Sequence, residues 1–171
     1  METLIIVVLM ILDQWTKGMA ERHIGAGPAV EVIPGFFHLE CTYNPGAAWS
    51  FLADKSWGIW LLSIISTVVM IALILCLRRA RGPKAKTVLI MLIAGSGGNL
   101  IDRLRFGAVA DFLAFTFGDY AFPTFNVADS LITIGAVLLI IFLIFDHHFI
   151  HDVFPDGEHP SIETKDEAPC E

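Results

Sequence analysis

Residues 57–77, WGIWLLSIISTVVMIALILCL, run for 21 residues without a single charge. About 20 predominantly apolar residues are needed to cross a bilayer as a helix, so this stretch is a membrane span. Three weaker stretches flank it: residues 3–12, residues 87–101 up to Asp102, and residues 130–145 after Asp129. Each reaches spanning length only by taking polar residues into one end. The predicted spans are therefore about 3–21, 57–77, 85–104 and 125–146. The N-terminal stretch is read as a retained span, because Glu2 is the only charge before Asp13 and no A-x-A site follows, unlike a secretory signal.

The composition agrees. Of 171 residues, 55% are hydrophobic and 17% charged, against about 45–50% and about 25% in soluble domains. The net charge of −7 belongs to one end: residues 146–171 hold eight acids against Lys165, and the remainder balances. No basic stripe supports nucleic-acid binding. Cys41, Cys76 and Cys170 are far apart and form neither CxxC nor zinc-ligand spacing, so no metal cage is expected.

Orientation follows from the bases. Arg78, Arg79, Arg81, Lys84 and Lys86 crowd the loop between spans two and three, and the positive-inside rule places that loop in the cytoplasm. Both termini are then cytoplasmic, and residues 22–56 and 105–124 face outward. In the first outer segment, residues 36–43 alternate as a strand does, after a Pro34-Gly35 turn and Ala29–Ile33. A second strand is expected from Gly107 to Phe115. The predicted fold is a membrane all-α bundle of four transmembrane helices with a small extracytoplasmic β-element. Residues 1–146 form the membrane domain, and 147–171 an acidic cytoplasmic tail expected to be disordered.

Charges near a bilayer core cost about 2.5–3.5 kcal/mol each on insertion scales, so each needs a reason. Asp13 and Lys17 share a helix face in the favourable acid-before-base order; they read as an internal ion pair or as direct chemistry. Gly95, Asn99, Asp102 and Arg103 form one helical stripe, either polar glue between helices or the wall of a cavity in which a guanidinium forks onto oxygens. Asn126 and Asp129 suit a helix start, and Asp111 alone is an ordinary exposed acid.

Taken together, Asp111 and Asp129 both fall at the outer interface, after span three and at the start of span four. Two carboxylates close together at a low-dielectric boundary share one proton. They then supply a base for water and an acid for a leaving group. Other protease chemistries lack their parts, since there is no HExxH and no Ser or Cys in a nucleophile motif. His147, His148 and His151 lie at the opposite end of span four. The same buried acids would also suit a small proton-coupled transporter, although no repeated or discontinuous span pair is evident.

Four blocks carry a family resemblance: Asp13-Gln14-Trp15-Thr16-Lys17; Asn44-Pro45-Gly46-Ala47-Ala48-Trp49-Ser50-Phe51; Gly98 to Arg103 running on to Val109-Ala110-Asp111-Phe112; and Phe125-Asn126-Val127-Ala128-Asp129-Ser130. In order and placement the chain resembles the bacterial lipoprotein signal peptidases (signal peptidase II), four-span aspartic proteases of the cytoplasmic membrane. The resemblance implies a catalytic pair at Asp111 and Asp129. It implies substrate-binding or supporting roles for Asn44, Gly46, Asn99, Arg103 and Asn126, and a structural polar pair at Asp13 and Lys17. It implies no metal or cofactor. From the topology the site is expected near the outer face, and the protein is expected to be a monomer among membrane lipids. The implied substrates are diacylglyceryl-modified prolipoproteins, cut just before the lipidated cysteine, and the implied inhibitors are globomycin-type cyclic peptides. The outer β-element corresponds to the family's cradle. The sequence departs at Pro45 and Trp49, where members often carry Thr and Phe, and in a shorter segment before Asp13.

Overall fold

The computed structural model describes residues 1–46 and 57–155. Of the second motif block, Ala47 to Phe51 lie outside the described residues, as do residues 156–171 of the acidic tail. Among the described residues, four helices are long and apolar enough to cross a membrane: α1 (Glu2–His23), α2 (Gly58–Arg79), α3 (Pro83–Phe106) and α4 (Val127–Phe145). Four strands precede or link them: β1 (Val30–Ile33), β2 (Phe37–Asn44), β3 (Val109–Phe117) and β4 (Tyr120–Phe125).

Helix α3 is the centre of the bundle. Inside its apolar window 61% of residues are buried, against 17% or fewer in the other three helices. Small residues explain why neighbours close on it. A Cβ on Gly95 would sit 2.5 Å from the Ala128 carbonyl oxygen of α4, and one on Gly98 would sit 2.5 Å from Asp13 Oδ2 of α1. The helix starts at Gly82 (φ 78°) with Pro83 in its first turn and ends at a left-handed Gly107 (φ 67°). The outer helices instead turn Ile64, Val68, Ile144 and Phe145 outward, all more than half exposed. Apolar surface of that extent needs lipid around it.

The strands form one antiparallel sheet in the order β1-β2-β3-β4. A turn at Gly35 (φ 70°) joins β1 to β2, and Gly35 donates its N–H to Glu31 Oε1. Strand β2 pairs with β3 so that Thr42 faces Asp111 and Asn44 faces Val109, across an irregularity between Leu39 and Thr42. Across three strands, Phe115 stacks on Phe37 at 4.7 Å and on Phe125 at 5.7 Å. The expected second strand is present two residues later than anticipated, at Val109–Phe117. Strand β4 was not anticipated; its residues were read only as the end of the outer segment leading into span four.

The tail expected to begin as a disordered segment at His147 begins instead with a fifth helix, α5 (Phe149–Val153). Phe149 is fully buried among Ala85, Val88 and Leu89, with Val153 in the same cluster. Arg81 donates its N–H to the Asp152 carbonyl at 2.7 Å, and Lys84 pairs with Asp146 at 2.7 Å. Charge composition alone missed this because two apolar side chains suffice to anchor a single turn.

Candidate active site

Helix α4 begins with Asn126, whose extended backbone and side chain make a reciprocal cap. Its Oδ1 accepts the Asp129 N–H at 2.9 Å, and Asp129 Oδ2 accepts the Asn126 N–H at 3.2 Å. Such a box satisfies donors that a helix start leaves without partners. The other half of the Asn126 amide points away from the helix: Nδ2 donates to Asp111 Oδ1 at 2.7 Å. One fully buried side chain therefore touches both aspartates.

Asp111 lies on β3, five residues beyond the end of α3, and is 4% exposed. Asn44 of β2 reaches its second oxygen at 3.4 Å. Burial, and next the nearby charge of Asp129, push the Asp111 carboxyl up to about 7, against smaller opposing effects of its bonds to Asn126 and Asn44. A carboxyl so placed holds a proton near neutral pH. Asp129 accepts a second short bond from Asn99 of α3, Nδ2 to Oδ1, at 2.7 Å.

Arg103, one turn further along α3, directs its guanidinium to the Gly46 carbonyl at 3.4 Å. Gly46 in turn donates its N–H to Asn44 Oδ1 at 2.9 Å. The Nε–H of Arg103 is buried with no hydrogen-bond partner among the described residues. Buried donors are rarely left so. The site residues expected from sequence thus converge: Asn44, Gly46, Asn99, Arg103, Asp111, Asn126 and Asp129 lie in one linked network.

The Asp13–Lys17 pair is present at 2.9 Å and is buried. It is larger than sequence suggested. Lys17 Nζ also meets Asp102 Oδ2 at 2.9 Å and Asn99 Oδ1 at 3.0 Å. Beyond the lysine, Asp13 Oδ1 accepts the Ala128 N–H at 2.9 Å, and Asp102 Oδ2 accepts the Ala110 N–H at 3.3 Å. Gln14 donates to Asp102 Oδ1 at 2.7 Å. Asp102 stood in the α3 stripe only as polar glue or cavity wall, and Gln14 stood in its motif without a role. The signal that marks them is a lone lysine on α1 with too few acceptors on its own helix.

Residues 5–145 match the family described as Signal peptidase (SPase) II. The chain belongs to that family. It is 41% identical over 134 residues to the lipoprotein signal peptidase of Neisseria meningitidis serogroup C (strain 053442), covering 77% of this chain and 82% of that one. It is 35% identical over 144 residues to that of Listeria monocytogenes serotype 4a (strain HCC23), covering 84% and 92%. Among solved structures it resembles a bacterial membrane enzyme determined by the in meso method at 2.3 Å resolution. That likeness has a TM-score of 0.74 and 37% identity, over 84% of this chain and 87% of that one. As a family member the chain is a multi-pass membrane peptidase, and these relatives give no support to the transporter reading.

Proposed function

We propose that this signal peptidase II family member is an intramembrane aspartic endopeptidase acting on diacylglyceryl-modified prolipoproteins, cutting just before the lipidated cysteine. The observation that carries the reading is the single Asn126 side chain bonded to Asp111 and to the backbone of Asp129. The burial of Asp111 and its raised carboxyl fit a pair that shares one proton. In the reaction the ionised carboxylate takes a proton from water as its oxygen attacks the scissile carbonyl carbon. The protonated partner donates to the carbonyl oxygen, and the departing amine collects a proton as the C–N bond breaks. The Arg103 Nε–H, without a partner among the described residues, is suited to holding a substrate backbone carbonyl beside Asn44 and Gly46.

The proposal places the sheet and dyad at the outer face of the bacterial cytoplasmic membrane, with both termini cytoplasmic and the protein working as a monomer. Globomycin-type cyclic peptides compete for the same site. Single-turnover cleavage of a diacylglyceryl prolipoprotein in detergent tests the mechanism. Asp111→Asn and Asp129→Asn should each abolish cleavage, with the double variant hardly worse, as for residues acting as a unit. Substantial turnover by either folded single variant would refute the dyad.

A further inference from the structure

The ammonium of Lys17 has three N–H donors, and each leads to the dyad by a different route. One meets Asp13, whose other oxygen holds the N–H of Ala128, the residue before Asp129. Another meets Asp102, whose carboxylate holds the N–H of Ala110, the residue before Asp111. The third goes to Asn99 Oδ1. That last contact decides which way the Asn99 amide faces. Its oxygen already receives Lys17 and, at 3.2 Å, Asn126 Nδ2, so its NH₂ is left to point at Asp129 Oδ1.

We infer that Lys17 is a positioning residue for the dyad: it clamps the backbone before both aspartates and, through Asn99, makes Asp129 the ionised base, leaving the shared proton on Asp111. This deepens the aspartic-protease reading and rests on it. Asp129 accepts one short side-chain bond and one backbone bond, and acceptor-only contacts favour the ionised form. Asp111 accepts one short bond and one at 3.4 Å. Asp129 then takes the proton of the attacking water and passes it to the departing amine. Asp111 protonates the carbonyl oxygen and regains that proton when the diol collapses. The remaining charged or titratable groups around the pair are Asp13 and Lys17 from α1, Cys41 from β2, and Asp102 and Arg103 from α3. None of them bonds Asp129 directly among the hydrogen bonds described.

The test compares Lys17→Met with Lys17→Gln in detergent. Both lose the charge and leave the same two carboxylates, so both burden the fold alike; only glutamine donates to Asn99. The folded Met variant should lose about a hundredfold in kcat, the cost of a small misplacement of reacting groups. Its KM should be unchanged, and the acid limb of its rate–pH profile should move to higher pH. The Gln variant should recover about tenfold, as expected for a hydrogen bond toward a charged network. Equal kcat in the two folded variants, or an unmoved acid limb in Met, would overturn the assignment. Asn99→Asp covers the case in which neither lysine variant folds: it still accepts from Lys17 but cannot donate to Asp129, so a wild-type acid limb there also overturns it. Failure of the dyad itself reads differently, as activity in Asp111→Asn or Asp129→Asn.

Discussion

Asn126 Nδ2 lies 2.7 Å from Asp111 Oδ1, while the same residue caps the helix that carries Asp129. A substitution that keeps the cap but shortens the reach separates these jobs. Serine caps about as well as asparagine. Asn126→Ser should therefore keep α4 folded, as judged by circular dichroism, while cleavage falls about 10–100-fold for loss of a hydrogen bond to an ionisable group. Wild-type turnover would show the bridge to be idle.

Asp111 gives a pH-dependent stability of predictable sign. Its folded-state carboxyl is pushed up to about 7 by burial and then by Asp129, whereas an unfolded aspartate titrates near ~4. Between those values the folded protein binds more protons, so stability falls as pH rises. The favourable contribution is complete below the unfolded value and gone above the folded one. Thermal unfolding in detergent at acidic and mildly alkaline pH should show this fall, and Asp111→Asn should flatten it. An identical slope in the variant would remove Asp111 as its source.

The close approach of α3 to α4 sets the distance between Asn99 and Asp129. A methyl at Gly95 would meet the Ala128 carbonyl oxygen at 2.5 Å and Ile132 Cγ1 at 2.7 Å. Gly95→Ala should cost about 1–3 kcal/mol through overpacking and lower activity beyond its effect on folded yield. Gly107→Ala, where nothing lies within reach of a Cβ but φ is 67°, should cost stability through backbone strain alone. Equal activity per folded molecule in Gly95→Ala would show that the helix spacing has slack.

At the end of the bundle opposite the sheet, Phe149 is fully buried against α3 residues. Phe149→Ala should lower stability by about 3–5 kcal/mol and leave kcat of the folded enzyme unchanged, since the residue is remote from the dyad. A reduced kcat at full folding would connect α5 to catalysis.

The four spans were legible because length and charge-free composition are local properties of 57–77 and its neighbours. Strand β2 was legible by alternation, and the acid–base spacing of Asp13 and Lys17 announced their contact. What could not be read was any pairing across distance. Asp102 meets Lys17 from 85 residues away, and the two backbone bonds to Ala110 and Ala128 carry no residue-type signature, since any residue but proline supplies an N–H. Strand β4 lay unread in the outer segment before span four, and α5 was hidden by the charges around Phe149. In the candidate site, the motifs named the residues; only the fold shows that one asparagine joins the two carboxyls.

The candidate pair draws on distant parts of the chain: Asp111 on the hairpin after the third helix, Asp129 on the fourth, Asn99 on the third, and on the first a lysine that meets Asp13 and Asp102, the two carboxylates bonded to the backbone before each aspartate. During insertion, a chain whose last helix has not docked lacks Asp129, and one whose first helix is displaced lacks the clamp. Such intermediates would lack the assembled pair that the proposed mechanism needs. On the proposed mechanism, a protease built this way would become competent only on completing its own assembly, and half-made copies would not cut other nascent membrane chains beside them.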